Sequence, residues 1–152
     1  MLSIKNKYLL FVIRIIIAFV FILAGIEKIS DPETFSVSIQ NYKILPLILI
    51  NITAIILPWI ELITGILLLL GILVKENSYL ISTMLVIFIL AIGISLARGL
   101  NIDCGCFGTR LGAEIGLFKL GENVILLIMS IILISSGSEF LFLPQQNKEK
   151  EN

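Results

Sequence analysis

Apolar residues in this chain run in long stretches, without the alternation of a half-buried strand or the polar face of a surface helix. Four stretches approach the roughly 20 residues needed to cross a bilayer. The first is "YLLFVIRIIIAFVFILAGI", residues 8–26, interrupted once by Arg14. The second lies within residues 44–74, "ILPLILINITAIILPWIELITGILLLLGILV". As one straight helix it would measure about 46 Å against a hydrocarbon core of about 30 Å. Pro58, near its middle, lacks an amide hydrogen and favours a kink. A span over 47–74, kinked near Pro58, is therefore expected, with 47–57 as an approach segment or tilted first half. The third span is "YLISTMLVIFILAIGISLA", 79–97, closed by Arg98. The fourth covers 115–136, with Lys119 and Glu122 in its opening turns and "VILLIMSIILI" at its core.

Between the first two spans the pattern changes to "SDPETFSVSIQNYKILP". Asp31 can cap a helix beginning at Pro32, and Glu33 suits its positive end. Phe35, Ile39 and Tyr42 then share one face, which predicts a short amphipathic helix over 32–43 at the membrane surface. A solvated connector is the alternative. The whole pattern predicts an all-α integral membrane protein, a four-transmembrane-helix bundle forming one domain over 1–137. The tail at 138–152, ending "LPQQNKEKEN", is polar and expected to be disordered.

Composition sharpens this picture. Of 152 residues, 58% are hydrophobic and 14% charged, with a mean hydropathy of +1.08, whereas a soluble domain carries about 25% charged residues. The lipid bilayer is the expected partner, and no nucleic-acid partner is expected. Lys5 and Lys7 before an apolar run imitate a signal peptide. Arg14 breaks that run, "ILAGIEK" offers no small-x-small cleavage site, and Ile26 stands where a lipoprotein would need cysteine. The first span is expected to be retained.

With four spans, the N-terminus, the "KENS" turn at 75–78 and the tail share one side, and the segment around 101–110 lies on the other with the amphipathic helix. Lys5, Lys7, Lys75, Lys148 and Lys150 on the first side balance Lys28, Lys43, Arg98, Arg110 and Lys119 on the second. Lysine and arginine counts thus do not orient the chain. Lys5, Lys7 and the amino terminus ahead of the first span favour cytoplasmic termini, in a multi-pass protein of the inner (cytoplasmic) membrane.

The outward segment "NIDCGCFGTR" holds both cysteines of the chain, Cys104 and Cys106. Outside the cytoplasm disulfides persist. A bridge across one residue needs a bent backbone, and Gly105 permits the bend. Such a ring is strained, and strained disulfides tend to be labile or catalytic. Arg98 and Arg110 favour a thiolate there while Asp103 opposes it; Gly108 and Gly112 keep the loop compact. A redox-active dithiol, a structural disulfide or tight turn, and a metal site all remain open. The structural bridge would close too small a loop to stabilise much. The metal site lacks ligands in one chain, though a dimer could supply four thiolates. With no histidine anywhere, catalytic triads, histidine-ligated haem and histidine proton relays are excluded.

Ionisable residues within spans cost free energy to bury and therefore point to function. Glu61, three residues after Pro58 in "PWIELITG", is the clearest. Glu27 and Lys28 close the first span and Arg98 the third, so Glu27, Lys28, Glu61, Arg98, Asp103 and the cysteines are expected to converge towards one membrane face. The alternative for Glu61 is a pairing with Lys28 or Arg98 that holds helices together. Trp59 suits an interfacial anchor, and Arg14 either snorkels to the near face or is paired in the bundle.

"LAGIEKISDPETF", "NYKILP", "LPWIELITGILLLLG" and "ARG…DCGCFG" together resemble the DoxX-like membrane proteins, most closely the methylamine-utilisation MauE branch. The resemblance covers nearly the whole chain, and "CGCFG" after a span ending in "RG" is its most specific element. Its motif positions fall on Arg14, Gly25, Lys28, Asp31, Pro32, Pro58, Glu61, Gly65, Arg98, Cys104, Cys106, Phe107 and Gly108. The family's last span opens with a basic residue before asparagine, whereas here Glu122 precedes Asn123. The resemblance implies a four-helix membrane bundle linked to maturation of methylamine dehydrogenase, whose small subunit is rich in disulfides, beside a thioredoxin-like partner. Among wider DoxX-like proteins it implies thiosulfate–quinone chemistry and membrane redox complexes.

The expected function is a membrane thiol–disulfide redox protein in which Cys104 and Cys106 exchange electrons with an extracytoplasmic partner, with quinone as a possible acceptor. Asp103, Gly105, Phe107, Gly108, Arg98, Glu61, Lys28 and Glu27 would support the site. A non-catalytic assembly factor with structural cysteines is the alternative. A small-solute transporter has less support, because no inverted repeat is visible.

Overall fold

The computed structural model describes residues 7–99 and 117–136. They form five helices in the order α1 (Lys7–Ser30), α2 (Pro32–Asn41), α3 (Leu47–Leu70), α4 (Val74–Ala97) and α5 (Leu117–Ser136). Among the described residues four helices are long and apolar enough to cross a membrane, α2 being the exception. The protein is thus a four-span all-α membrane bundle.

Its burial pattern is that of a protein solvated by lipid. Phe19, Ile55, Ile87 and Ile125, one on each spanning helix, face outward. Arg14, Lys28, Glu61, Asn123, Ser78 and Ser130 are enclosed instead. An apolar side chain is as well placed in lipid as in the core, whereas a polar one must find partners inside.

Around the bundle α1 packs on α3, α3 on α4, α4 on α5 and α5 back on α1, and the α1–α3 and α4–α5 seams are the most extensive. The α1–α3 seam is set by two glycines. A Cβ on Gly25 would lie 2.9 Å from both the Pro58 carbonyl oxygen and the Leu62 nitrogen. One on Gly65 would lie 3.0 Å from the Ile22 nitrogen and 3.1 Å from the Ala18 carbonyl oxygen. The α4–α5 seam uses hydroxyls: Ser82 Oγ donates to Ser130 Oγ at 2.9 Å, and Ser130 Oγ donates to the Ser78 carbonyl at 2.9 Å.

Several boundaries differ from the expected ones. The first span continues from 26 to Ser30, so Glu27 and Lys28 are helical. The second is one helix that passes through the buried Pro58 and stops at Leu70, not at 74. Gly71, at φ 73°, takes the left-handed C-cap, and Ile72 donates back to the Leu67 carbonyl at 2.9 Å. This is the usual glycine stop. The third span starts at Val74, five residues earlier than expected, so "KENS" is its opening turn. Glu76 suits the positive helix end, and Asn77 Nδ2 donates to the Ile72 carbonyl at 2.9 Å, bracing the turn.

The short helix α2 begins as its sequence indicates. The Asp31 carboxylate accepts from the Thr34 amide at 3.1 Å and from its hydroxyl at 2.7 Å, and Pro32 opens the helix. It ends at Asn41, two residues before the expected limit. Phe35 and Tyr42 are buried and Ile39 is half-buried, so this face is turned onto the other helices. Tyr42 packs with Ile92, Phe88 and Leu96 of α4 and Leu120 of α5. Thus α2 packs chiefly on α3, and its C-cap Tyr42 reaches the α4–α5 side.

Candidate functional site

Lys28 and Glu61 form a buried ion pair between α1 and α3. Lys28 Nζ donates to Glu61 Oε1 at 2.6 Å and to Oε2 at 2.7 Å, with the two side chains 5% and 2% exposed. Both distances fit charge-assisted hydrogen bonds. The Phe35 ring of α2 and the Phe88 ring of α4 flank the ammonium at 5.1 and 5.2 Å, within cation–π range. Four helices therefore meet at one lysine.

The glycine contacts explain why the pair can form. Gly25 lies one turn before Lys28, and Gly65 one turn after Glu61. The two helices are antiparallel, so both glycines lie towards the same end from the pair, and their close contacts hold the backbones together next to it. Thr64 Oγ1 donates to the Ile60 carbonyl at 2.7 Å, so its hydroxyl is satisfied within α3 beside the acid.

The pair lies deep. Glu61 stands 14 residues after Leu47 and nine before Leu70, or about 21 and about 14 Å along the helix. Phe88 stands 14 residues after Val74 and nine before Ala97; because α4 runs back from the Leu70 end, this places it about 14 Å of helix from the end at which α3 begins. Yet α1 ends only two residues beyond Lys28. It stops inside the thickness of the bundle, and α2 occupies the remainder.

The expected convergence is met in one part. Lys28 and Glu61 are brought together, the pairing considered as the alternative for Glu61. Arg98 is the exposed C-cap of α4, ten residues and about 15 Å of helix beyond Phe88. Glu27 is half-buried beside Lys28 in sequence. Cys104 and Cys106, with Asp103, Gly105, Phe107 and Gly108, lie outside the described residues. Arg14 is enclosed, with its guanidinium 5.2 Å from the Phe11 ring centre, and is not a snorkelling residue. Trp59 is exposed on the second span.

Sequence reasoning passed over Phe35 and Phe88 as cation partners, and Asn123, which is buried in α5 and donates to the Lys119 carbonyl at 2.9 Å. It also passed over the Ser78–Ser82–Ser130 ladder, which small polar residues one turn apart in an apolar span could have signalled. Glu122 accepts from Lys119 at 3.0 Å, giving the start of α5 a local ion pair. Among the described residues no cluster of three metal-ligating side chains occurs.

Fold and site together define a multi-pass membrane protein built on a central, ring-flanked lysine–glutamate pair. The chain belongs to the MauE family: the model for methylamine utilisation protein MauE matches residues 6–136. It is 26% identical over 125 residues to methylamine utilization protein MauE of Paracoccus denitrificans, an alignment covering 82% of this chain and 67% of that protein. It is 32% identical over 117 residues to the protein of that name from Methylophilus methylotrophus, covering 76% and 62%. It is 29% identical over 160 aligned positions to Protein TlpB of Flavobacterium psychrophilum, covering 99% of this chain but 41% of that protein. The chain therefore spans less than two thirds of the latter two relatives. No solved structure matches it.

Proposed function

We propose that the protein is a membrane-embedded thiol–disulfide redox protein working through Cys104 and Cys106. The observation that carries this reading is the family match, whose bounds, residues 6 to 136, include the Cys-Gly-Cys segment. The chemistry balances as follows. A Cys104–Cys106 disulfide takes two electrons and two protons from a partner dithiol, which becomes a disulfide. The resulting dithiol passes two electrons and two protons to an acceptor of the quinone class. The partner is an extracytoplasmic protein maturing oxidatively, or a thioredoxin-like carrier serving it. The relatives' name points to methylamine utilisation, and methylamine dehydrogenase is the candidate client.

In this reading the protein lies in the cytoplasmic membrane with its termini inside and the cysteines outside. Asp103, Gly105, Phe107 and Gly108 shape the loop. Arg98, five residues before Asp103, favours the thiolate by its charge. Glu61, held by Lys28, is the carboxylate offered for the accompanying proton.

The test is thiol trapping in intact cells with a membrane-impermeant alkylating reagent, alongside Cys104→Ser and Cys106→Ser. Labelling only after reduction, with partner oxidation lost in both variants, is the expected result. Partner oxidation that continues without either cysteine ends the redox reading.

A second reading, a non-catalytic assembly factor, is favoured by the completeness of the Lys28–Glu61 pairing, which is also what a purely structural contact requires. Capture of the maturation partner that survives both cysteine replacements is its signature.

A further inference from the structure

We propose that α2 is a hinged cover on one end of the bundle, latched by the Phe35 ring on the Lys28 ammonium, and that its opening admits water to the Lys28–Glu61 pair. This goes beyond the redox reading and does not depend on it.

Three observations carry the inference. The first is placement. α1 stops two residues after Lys28, so on that side the charges are enclosed by α2 and not by a continuing span. The second is attachment. α2 joins α1 through the single residue Asp31 and packs chiefly on α3, through one face on which Phe35 and Ser38 are buried, while residues 31–34 are exposed. The third is the connection to α3. Lys43, the second residue after α2, sits at φ 50° and donates its amide to the Gln40 carbonyl at 3.0 Å, so the left-handed stop that ends α2 is made with α2's own last turn and moves with it as a unit.

The latch is chemically suited to this work. Phe35 contributes no hydrogen bond that must be broken and replaced. Its ring face attracts the ammonium and sheds it without leaving an unpaired donor, because Lys28 keeps both bonds to Glu61. Opening would therefore expose an intact ion pair to water from the end of the bundle where α4 finishes and α5 begins.

The experiment uses the full chain in nanodiscs, with Cys104 and Cys106 replaced by serine and one reporter thiol introduced at a time. Ser38→Cys reports the underside of α2, where Ser38 is 4% exposed. Ser78→Cys reports the buried α4–α5 seam, at 0% exposure towards the other end of the bundle. Val37→Cys, at 49% exposure, sets the open limit. Each is reacted with a charged methanethiosulfonate. The expected result is a Ser38→Cys rate well below that of Val37→Cys and measurably above that of Ser78→Cys. Adding Phe35→Leu, which keeps the apolar contact and removes the ring, raises the Ser38→Cys rate at least tenfold and leaves Ser78→Cys unchanged. Lys28→Met gives the same pattern if that variant folds, and Phe35→Leu carries the test if it does not. A Ser38→Cys rate indifferent to Phe35→Leu overturns the proposal. So does a rise at Ser38→Cys and Ser78→Cys together, which would mean general loosening and not a cover.

Discussion

Replacing one member of the central pair should destabilise the bundle far more than replacing both. Lys28→Met removes two charge-assisted hydrogen bonds, at 2.6 and 2.7 Å, and leaves a carboxylate that is 2% exposed without its lysine. Methionine keeps the unbranched stem between Phe35 and Phe88, so the loss is electrostatic and not a cavity. Breaking a buried pair from one side costs about 3–5 kcal/mol. Two ring contacts at 5.1 and 5.2 Å add to the loss, at about 0.5–2 kcal/mol each. Glu61→Leu, leaving the ammonium without its carboxylate, should cost about 3–5 kcal/mol for the same reason. Lys28→Met with Glu61→Leu removes both charges and both desolvation penalties, and should fall within about 1 kcal/mol of the parent. The assay is reversible unfolding in mixed micelles, followed by far-ultraviolet circular dichroism and combined into a double-mutant cycle. A coupling free energy of several kcal/mol is expected. Single variants that each cost under about 1 kcal/mol, with no coupling, would refute the reasoning, since that is how a solvent-screened pair behaves.

Three further outcomes follow from the seams and from α2. Gly25→Ala places a methyl 2.9 Å from the backbone of Pro58 and Leu62 and should destabilise by about 1–3 kcal/mol. Gly93→Ala meets nothing within 4 Å and should stabilise by about 0.5–1 kcal/mol through backbone entropy; both are read by the same unfolding assay. Ser130→Ala removes the hydroxyl that links Ser82 to the Ser78 carbonyl, for a loss of about 0.6 kcal/mol and at most about 1.7, measurable as weaker association of α4–α5 fragments. Burial pushes the Tyr42 phenol up to about 12, so the folded state holds this proton longer than the unfolded chain. Its contribution to stability is intact below about 10 and is lost as pH rises through the folded value. The phenolate absorbance missing from Tyr42→Phe should accordingly have its midpoint near 12.

The four spans were legible because a bilayer demands some 20 apolar residues in a row, whatever they pack against. Their ends were harder to read. Lys75 and Glu76 looked like a turn because they are charged, yet the first turn of a helix at a membrane edge keeps its amides free and tolerates charge. The stop was Gly71, whose left-handed conformation closes α3. At the site, Lys28 and Glu61 stood out as ionisable residues in apolar surroundings, but their depth did not. Lys28 was expected to converge with Glu61 towards one membrane face because it closes an apolar run. In the structure α1 ends two residues after Lys28 while α3 extends about 21 Å of helix from Glu61 back to Leu47, an offset between helices that hydropathy along one chain does not record. Phe35 and Phe88 were unreadable as partners for the same reason, being 53 residues apart in the numbering and joined only through Lys28.

The two main seams bear on why a charged pair is present at all. In lipid no hydrophobic force draws apolar helices together, so association rests on close backbone approach and on polar contacts. The α4–α5 seam uses hydroxyls, at modest cost if one is lost. The α1–α3 seam already has close approach at Gly25 and Gly65, and adhesion there does not require a lysine and a glutamate whose desolvation offsets most of their attraction. If holding helices together were their task, Lys28→Met with Glu61→Leu would preserve both fold and function. If their task is to keep an ionisable pair at mid-bundle beneath a movable α2, the same double variant should fold as well as the parent and fail in the cell. The separation of stability from activity in that one variant distinguishes glue from chemistry.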